Sequence, residues 1–416
     1  MILNYSLRRS CVLCNKKKLT TVLNFKKTPL ANSYEKSLIK KSKLYNLSTI
    51  LCDFCGHLQL KELIKPQIMF RDYLYVSGTS KVLISHFKNY ANKVIKKFKL
   101  KKKDNILDIA CNDGTFLENF IKKNYTNVVG VEPALNLKKI NLKKKIKINS
   151  FFFGYKKSFI LKKKYKSFKL ITANNVCAHV PNLEDFFLGV KNILHKDGCM
   201  VFEVSYLYDV IKKLSFDTIY HEHMSYHSIK PLINFFNRLN LEVFDCDRVE
   251  AQGGSIRVYI SHKNSFKVKN KKILSMVKNE KKLGLFKVKT YRNYYSRICY
   301  QKNKLNKILY NFKKKNYKIY GFGAPAKLTT FSYVFNIKKI LFEAIIDDNQ
   351  FKQNLYTPGK KIPIISYKNL IERNFDVILI FAWNFSSSII MRLKKDFKKK
   401  KKKIIVPFPE VKIINC

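Results

Sequence analysis

The 416-residue sequence lacks any apolar run long enough to cross a membrane, and even Val377–Trp383 is far too short. The N-terminal residues contain no apolar stretch followed by small residues, so we expect no secretory signal peptide. We therefore expect a soluble, cytoplasmic protein with no membrane partner, whose ten cysteines stay reduced. No internal repeat is present beyond a duplicated nucleotide-binding topology, and the length predicts two or three domains.

Acidic residues are scarce, with 28 Asp and Glu against 83 Lys and Arg and a formal net charge of +55. Such an excess commonly indicates a nucleic acid or an anionic membrane as partner. Most of the basic residues are Lys, whereas specific nucleic-acid readers depend on the bidentate contacts of Arg. We therefore interpret the charge as a solvated surface that attracts anionic substrates, and we expect no specific nucleic-acid partner.

Four cysteines form two CxxC pairs, Cys11 with Cys14 and Cys52 with Cys55. In a reducing compartment such pairs indicate metal or redox chemistry rather than disulfides. Each short turn lets two sulfurs face one tetrahedral ion at about 2.3 Å. We predict a structural zinc ion with all four thiolates as ligands, which leaves no open position for catalysis. The alternative is four ordinary small buried residues.

Residues 105–123, "NILDIACNDGTFLENFIKK", predict a strand that ends near Ile109, a tight loop, and a helix from about Thr115. A basic amphipathic helix from Lys81 to Lys99 precedes them. A second strand ends at Glu132, and further apolar segments alternate with helical ones. This alternation predicts an α/β fold with a doubly wound sheet.

The loop after the first strand lacks the Lys-Ser/Thr pair of a P-loop and a full GxGxxG, because Ala110 occupies the first small position. This absence favours S-adenosylmethionine, which carries no phosphate; a plain α/β turn is the alternative. Gly114 would permit close approach to the ligand, and Glu132 would accept hydrogen bonds from the ribose. The residues assigned to cofactor binding are Asp108, Ala110, Asn112, Asp113, Gly114, Glu132 and Asn174.

A second α/β unit follows a Lys-rich stretch with heptad-like apolar spacing, which predicts a linking helix. Its Gly-rich turn, "GFGAPAK" at 321–327, precedes a helix that could bind an anion. No hydride-transfer partner accompanies it, so a nicotinamide cofactor is not favoured. A diphosphate group or structural packing is the preferred explanation, and Asp347 and Asp348 are interpreted as a turn.

Three of the eight histidines lie between Tyr220 and His227, in "YHEHMSYH". On an extended stretch only alternate side chains converge, so Tyr220 would meet Glu222, or His221 would meet His223. Acid–base chemistry is favoured, because histidine has an unperturbed pKa of about 6.5. A metal site and a structural cluster are the alternatives.

The cysteine pairs, "DIACNDGTF", "GVEP", "NNVCAHV", "YHEH", "QGGSIRVY", "YGFGAPAK" and "ILIFAWNF" occur in this order. Together they resemble the three-domain S-adenosylmethionine-dependent sugar C-methyltransferases, which act on nucleotide-linked 4-ketohexoses. The resemblance covers nearly the whole chain. It implies a zinc-binding domain at 1–66, a Rossmann-like methyltransferase domain at 67–262, a helical linker at 263–307, and a C-terminal Rossmann-like domain at 308–416 that helps to hold the sugar nucleotide.

The resemblance also implies site residues, with His223 as the general base. It adds Tyr220, Glu222, His179 and Tyr75, with Tyr73 as the alternative to Tyr75. Gln252 departs from the family pattern, in which a histidine commonly precedes "GGS".

The implied reaction is methylation of carbon 3 of the sugar through an enolate, in deoxysugar, branched-sugar or surface-polysaccharide biosynthesis. The alternatives are an O- or N-methyltransferase, an RNA-binding methyltransferase-like protein, and a non-methylating sugar-nucleotide relative. The sequence names neither the nucleotide nor the oligomeric state.

Overall fold

The computed structural model describes residues 5–39, 41–70, 73, 75–397 and 402–415. They form two compact units, each assembled from separate stretches of chain. The first unit contains the segment that ends at Thr20, Ile50–Tyr208 and Met224–Lys287. The second contains Thr21–Thr49, Asp209–His223 and the chain from Val288 onward. The division into four consecutive segments stays a prediction.

Strands are found throughout the described residues. They are β1 (Tyr5–Leu7), β2 (Leu19–Thr28), β3 (Tyr45–Cys52), β4 (Leu58–Leu60), β5 (Glu62–Ile64), β6 (Ile106–Ile109), β7 (Val128–Val131), β8 (Lys147–Asn149), β9 (Phe168–Asn174), β10 (Leu194–Ser205), β11 (Ser225–Tyr226), β12 (Leu241–Val249), β13 (Ser255–His262), β14 (Ile319–Phe322), β15 (Ile345–Ile346), β16 (Ile364–Ile365), β17 (Val377–Ile380), β18 (Lys403–Val406) and β19 (Lys412–Asn415).

Helices separate most of these strands. They are α1 (Pro66–Phe70), α2 (Lys81–Phe98), α3 (Glu118–Ile121), α4 (Leu135–Lys143), α5 (Tyr155–Tyr165), α6 (Leu183–Ile193), α7 (Leu207–Lys212), α8 (Ile229–Arg238), α9 (Asn270–Leu283), α10 (Val288–Lys314), α11 (Lys327–Val334), α12 (Tyr367–Ile371) and α13 (Ser386–Asp396). Among the described residues, none of these helices is both long and apolar enough to span a bilayer.

The first unit is built on a seven-stranded sheet in the order β12-β13-β10-β9-β6-β7-β8. The strands from β10 to β8 pair in parallel, and β13 is antiparallel to both of its neighbours. Each residue of β6 and β7 is buried, as expected for parallel strands that are covered on both faces. The predicted doubly wound α/β fold is confirmed.

The chain reverses its direction of winding at β6. From β6 it moves to β7 and β8 on one side, and it then returns to β9 on the other side. In such sheets a ligand binds outside the carboxyl ends of the strands at this reversal. The loops that follow β6 and β9 therefore define the expected ligand position within this unit.

Two helices of this unit can be compared with the helices predicted from the sequence. The predicted amphipathic helix is α2, whose first turn is capped by the Ser80 hydroxyl and which ends at a left-handed Lys99. The helix predicted from Thr115 begins at Glu118 instead. Irregular turns occupy the intervening residues, where Asp113 accepts hydrogen bonds from both the backbone N–H and the hydroxyl of Thr115.

The predicted linking helix is interrupted. Gly284, with φ of +75°, ends α9 in the left-handed conformation that glycine favours. The chain then begins a separate helix, α10, which continues to Lys314. The structure thus has two helices where the heptad-like spacing predicted one.

The second unit contains a six-stranded sheet in the order β16-β15-β14-β17-β18-β19. All strands pair in parallel except β19, which is antiparallel to β18. The predicted strand, Gly-rich turn and helix are β14, the turn at 323–326, and α11. This confirms a second Rossmann-like α/β arrangement.

Candidate functional site

The loop after β6 has an unusual backbone. Ala110 and Asn112 both have positive φ, at +54° and +55°, and Gly114 has φ of +74°. A Cβ atom at Gly114 would lie 2.2 Å from Cδ1 of Ile146 and 2.6 Å from Oδ1 of Asn141. Gly114 therefore packs tightly against the fold, and its role in close approach of a ligand stays a prediction.

Two buried carboxyl groups flank this loop. Glu132 accepts hydrogen bonds from the backbone N–H groups of Asn112 (2.8 Å) and Ala134 (2.9 Å). Asp108 accepts hydrogen bonds from the Thr172 hydroxyl (2.7 Å) and the Asn174 amide (3.3 Å). Burial raises the pKa of each carboxyl group to about 7. Both groups thus change charge near neutral pH.

The side chains of Asn112 and Asp113 hold a neighbouring segment of backbone. Asn112 donates to the carbonyl of Tyr75 and accepts from the N–H of Ser77, both at 2.9 Å. Asp113 accepts from the N–H of Gly78 at 3.1 Å. These two predicted cofactor residues therefore fasten the "YVSG" segment over the end of β6.

Tyr75 and Tyr73, the two candidates from that segment, have different surroundings. The Tyr75 hydroxyl forms a side-chain hydrogen bond with Gln252, and burial raises its pKa to about 12. Gln252 is the residue that departs from the family pattern. The Tyr73 ring packs against Phe70 at 5.7 Å, and Phe70 packs edge-on against His179 at 5.3 Å. Burial lowers the pKa of His179 to about 4, which keeps its imidazole neutral.

His223 and Tyr220, both in the second unit, form a hydrogen-bonded pair. Their side chains meet at 2.8 Å between the Tyr220 hydroxyl and Nε2 of His223. Nδ1 of His223 lies 2.7 Å from the carbonyl oxygen of Thr218, which can only accept. A neutral His223 therefore carries its proton on Nδ1, and its Nε2 lone pair accepts from Tyr220.

The expectation that only alternate side chains of this stretch converge was wrong. The chain turns here, and the N–H of His223 donates to the carbonyl of Tyr220 at 2.9 Å. Side chains three residues apart consequently meet. Nε2 of His221 instead lies 2.9 Å from the backbone oxygen of Asn46, and its ring packs edge-on against Tyr45.

Glu222 belongs to a buried polar group that the sequence did not reveal. Its carboxylate accepts a 2.6 Å hydrogen bond from the Asn32 amide. Lys352 is also buried and donates to the carbonyl of Ala324 at 2.8 Å, and the charge of Glu222 acts on it. Burial lowers the pKa of Lys352, whereas the charges of Asp347 and Glu222 oppose that shift. Asn32 and Lys352 stand in polar stretches with no motif, so no sequence signal marked them.

The Gly-rich turn of the second unit is closed by its own side chains. Asp347 accepts from the N–H groups of Ala324 (2.6 Å) and Asn349 (2.8 Å). In dinucleotide-binding folds the acid at this strand end binds the ribose. A Cβ atom at Gly323 would lie 2.4 Å from Cβ of Ala382. Glu132 accepts the same kind of bonds in the first unit, so these contacts describe how the turn is held, and a diphosphate group and structural packing both stay predictions.

The four predicted cysteine ligands converge in the first unit. Their sulfur atoms all lie within 4.8 Å of one another, and Cys11–Cys55 and Cys14–Cys52 are separated by 3.6 and 3.5 Å. Four thiolates at zinc–sulfur distances of about 2.3 Å would be about 3.8 Å apart. Among the described residues this is the one group with the ligand types and spacing for a metal ion, so the histidine-rich turn does not form one.

Contacts among these thiols shift their pKa values in opposite directions. A hydrogen bond from Cys55 lowers the pKa of Cys11 to about 5, and the same bond raises the pKa of Cys55. Burial raises the pKa of Cys14 to about 11. Neighbouring thiolates repel one another, so only a bound cation lets several ionise together.

Comparison with protein families divides the chain into three matched parts. Residues 11–70 match a zinc binding domain, residues 84–245 match a methyltransferase domain, and residues 250–409 match a C-methyltransferase C-terminal domain. The sheet order, the loop after β6 and these matches define a C-methyltransferase. The three matches follow the same order as the domains of the S-adenosylmethionine-dependent C-methyltransferases that the sequence resembles.

Relatives and solved structures are similar to this chain in different degrees. The C-methyltransferase NovU of Streptomyces niveus is 26% identical over 408 residues, which are 98% of this chain and 97% of NovU. An S-adenosylmethionine-dependent methyltransferase from Clostridium acetobutylicum is 15% identical, with a TM-score of 0.35 over 43% of this chain and 92% of its own. Magnesium protoporphyrin IX methyltransferase from Synechocystis, solved with S-adenosylhomocysteine (SAH), is 8% identical, with a TM-score of 0.33 over 43% and 83%.

The cofactors are S-adenosylmethionine and zinc, and the residues present fit both. At the end of β9, Oδ1 of Asn174 is buried and has no hydrogen-bond partner among the described residues. It lies beside Asp108, and with Asp108 and Glu132 it forms a set of acceptors suited to the amino and hydroxyl donors of S-adenosylmethionine. The thiolates of Cys11, Cys14, Cys52 and Cys55 suit zinc.

Proposed function

We propose that the protein transfers a methyl group from S-adenosylmethionine to carbon 3 of a nucleotide-linked 4-ketohexose, with His223 as the general base. The hydrogen-bonded pair of His223 and Tyr220 is the observation that carries this proposal. Because Nδ1 donates to the Thr218 carbonyl, the basic lone pair of the neutral ring is on Nε2. The full-length similarity to the C-methyltransferase NovU supports an acceptor carbon.

The proposed chemistry makes specific demands on the chain. A carbon nucleophile requires loss of a proton, and a neighbouring ketone acidifies that proton. A histidine is suited to remove it near neutral pH. Phenols and a neutral imidazole can donate to the developing enolate oxygen, and Tyr75, Tyr220 and His179 are of these types. S-adenosylmethionine supplies the methyl group as an electrophile.

Glu222 has a different proposed role from the base. Its bond to Asn32 and its burial fix the position of this carboxyl group in the second unit. A carboxylate of this kind is suited to accept hydrogen bonds from sugar hydroxyl groups. We propose that Glu222 orients the substrate, and that the C-terminal segment from 308 onward contributes to holding the nucleotide.

The first test separates proton removal from methyl transfer. The protein is incubated in heavy water with SAH and a nucleotide-linked 4-ketohexose. The wild type should exchange deuterium into carbon 3, whereas His223→Ala should lose about 10²–10⁴-fold in rate. SAH affinity, measured by calorimetry, should stay the same.

His195→Ala provides the matched control, because it removes a partly exposed imidazole from β10. It should exchange like the wild type. Undiminished exchange in His223→Ala would exclude His223 as the base. Mass spectrometry with a labelled methyl donor then identifies the product, and label on oxygen or nitrogen, or no transfer to the sugar, would contradict the proposed reaction.

A further inference from the structure

The two residues of β11 follow His223 closely and are held by the region of the cysteine pairs. β11 pairs antiparallel with β4, with Ser225 opposite Gln59 and Tyr226 opposite Leu58. The N–H of Leu60 also donates to the carbonyl of Met224 at 2.9 Å. Met224 directly follows His223 in the chain, so β4 holds the first residue after His223.

Residues 224 and 225 also form hydrogen bonds with the chain just before His179. The N–H groups of Met224 and Ser225 both donate to the carbonyl oxygen of Ala178, at 2.7 and 3.2 Å. Ala178 directly precedes His179. Met224 and Ser225 are nearly inaccessible to solvent. One buried segment therefore links the chain next to His223 with the chain next to His179.

Gln59 connects this segment to the cysteine cluster. Its side-chain Oε1 accepts a 3.0 Å hydrogen bond from the N–H of Val12, which lies between Cys11 and Cys14. Gln59 is completely buried, and its Nε2 has no hydrogen-bond partner in the part of the chain that the structure describes. A buried amide with an unpaired donor is unfavourable. An apolar residue would pack at lower cost, so the contact with Val12 is what the amide provides.

The second cysteine pair reaches β4 along the backbone. Cys52 donates its N–H to the carbonyl of His57 at 2.9 Å, and Gly56 donates to the carbonyl of Cys52 at 2.9 Å. β4 begins at Leu58, three residues after Cys55. Both cysteine pairs thus determine where β4 lies, one through the Gln59 side chain and the other through the chain itself.

We propose that Gln59 is a positioning residue that transmits the geometry of the zinc-binding cysteine pairs through β4 and β11 to residues 224–226, the segment that directly follows the proposed base in the chain. Its effect on turnover rests on the proposed function of His223, whereas its effect on the backbone does not. Zinc would then have a role beyond stabilising its own domain. By holding the cysteine pairs it would fix β4, the strand that pairs with β11.

The test uses Gln59→Met, which keeps the length of the side chain and removes the acceptor for Val12. We expect amide hydrogen exchange in residues 224–226 to be at least tenfold faster than in the wild type, and kcat to fall at least tenfold. SAH affinity and a zinc content of one per chain should be retained. Thr20→Val is the control, since it removes a bond to Asp53 in the second cysteine pair without touching β4; exchange and kcat should stay at wild-type values.

Each outcome decides the proposal. Unchanged amide exchange or unchanged kcat in Gln59→Met would overturn it. If this variant does not fold, partial withdrawal of zinc from the wild type with a chelator replaces it, and residues 224–226 must then exchange faster before global unfolding. Failure of the proposed function appears elsewhere, as absent deuterium exchange into the sugar by the wild type, and leaves the amide measurement valid.

Discussion

The two nitrogens of His223 have separate tasks. Nδ1 is fixed by the Thr218 carbonyl, which sets both the ring orientation and the tautomer. Nε2 is left to exchange protons, and its partner is the Tyr220 hydroxyl. The two rings lie 4.1 Å apart between centroids, so a change in either residue alters the other. Tyr220 and His223 are therefore expected to act as a unit.

Tyr220→Phe tests this unit. Loss of the hydroxyl removes the partner of Nε2 and one donor for an enolate, so we expect kcat to fall about 10- to 100-fold. Residues that act together are not additive. The double variant Tyr220→Phe/His223→Ala should therefore be no slower than His223→Ala alone. If the double variant lost the product of the two single rate losses, Tyr220 and His223 would act independently.

Asp108 and Glu132 predict a proton linkage to cofactor binding. Both carboxyl groups have pKa values raised to about 7 by burial, so below that pH they are largely protonated in the free protein. The positive charge and hydrogen-bond donors of S-adenosylmethionine favour the ionised forms. Binding should therefore release protons at pH 6.5–7, and affinity should increase as the pH rises through 7.

Calorimetry in buffers of different ionisation enthalpy measures this proton release. Glu132→Gln cannot ionise and should release fewer protons and bind more weakly. Its lost charge-assisted hydrogen bonds are worth about 1.5–3 kcal/mol each, less what solvent restores. Proton release that is identical in wild type and variant would exclude Glu132 from the linkage.

At the scale of elements, the loop between β6 and α3 joins several parts of the first unit. Its side chains hold the segment at 75–78, the N–H of Asn112 donates to Glu132, and the carbonyl of Asn112 accepts from Asn141 of α4. Three residues of this loop have positive φ, which costs free energy that the surrounding contacts offset. The loop is thus held in shape by contacts within the first unit.

Gly114→Ala tests how strictly this shape is required. The added Cβ combines an unfavourable φ of +74° with a contact of 2.2 Å to Ile146, so we expect a loss of about 2–4 kcal/mol in unfolding free energy and weaker SAH binding. Gly284→Ala has a nearly equal φ of +75° at the end of α9 and shares the conformational cost. Chemical denaturation gives the loss of unfolding free energy in both variants, and the difference between them reports the crowding at Gly114. Equal losses would show that crowding at Gly114 contributes nothing.

At the scale of the whole molecule, neither compact unit is a continuous piece of chain. The chain leaves the first unit after Thr20, returns at Ile50, and leaves again after Tyr208. His223 is the last residue of a second-unit segment, and Met224 opens the next segment of the first unit. Because each unit depends on distant segments, a cut at one of the predicted domain boundaries would separate residues that fold together.

Removal of zinc should accordingly affect more than the N-terminal residues. We expect one zinc per chain, and Cys52→Ser/Cys55→Ser should lose it and lower Tm by more than about 5 °C, since binding energy of a structural zinc is folding energy. Cys299→Ser, a partly buried cysteine outside the cluster, should keep both zinc and Tm. Metal analysis and thermal unfolding are the measurements. Full stability of the double variant would contradict a structural zinc.

Local patterns in the sequence were enough for the fold class and for residues that act through short-range spacing. Each CxxC pair brings two sulfurs together by a turn. The four-ligand zinc site was therefore predictable by combining the two pairs. The strand, loop and acid from Asp108 to Glu132 follow from one βαβ connection, so the loop was predictable from its residue order. The division of roles within "YHEH" was not, because a turn and an extended strand present different side chains together.

Only the tertiary structure brought together residues that lack any shared pattern. Asn32 meets Glu222 across 190 positions of sequence, and Val12 meets Gln59 across 47. Single polar residues such as these carry no periodicity, and their partners are chosen by the packing of the whole chain. The proton position on His223 likewise depends on one carbonyl oxygen that the turn places beside Nδ1. The sequence alone therefore determined which chemical groups are available, and the folded chain decided which of them are paired, buried and able to react.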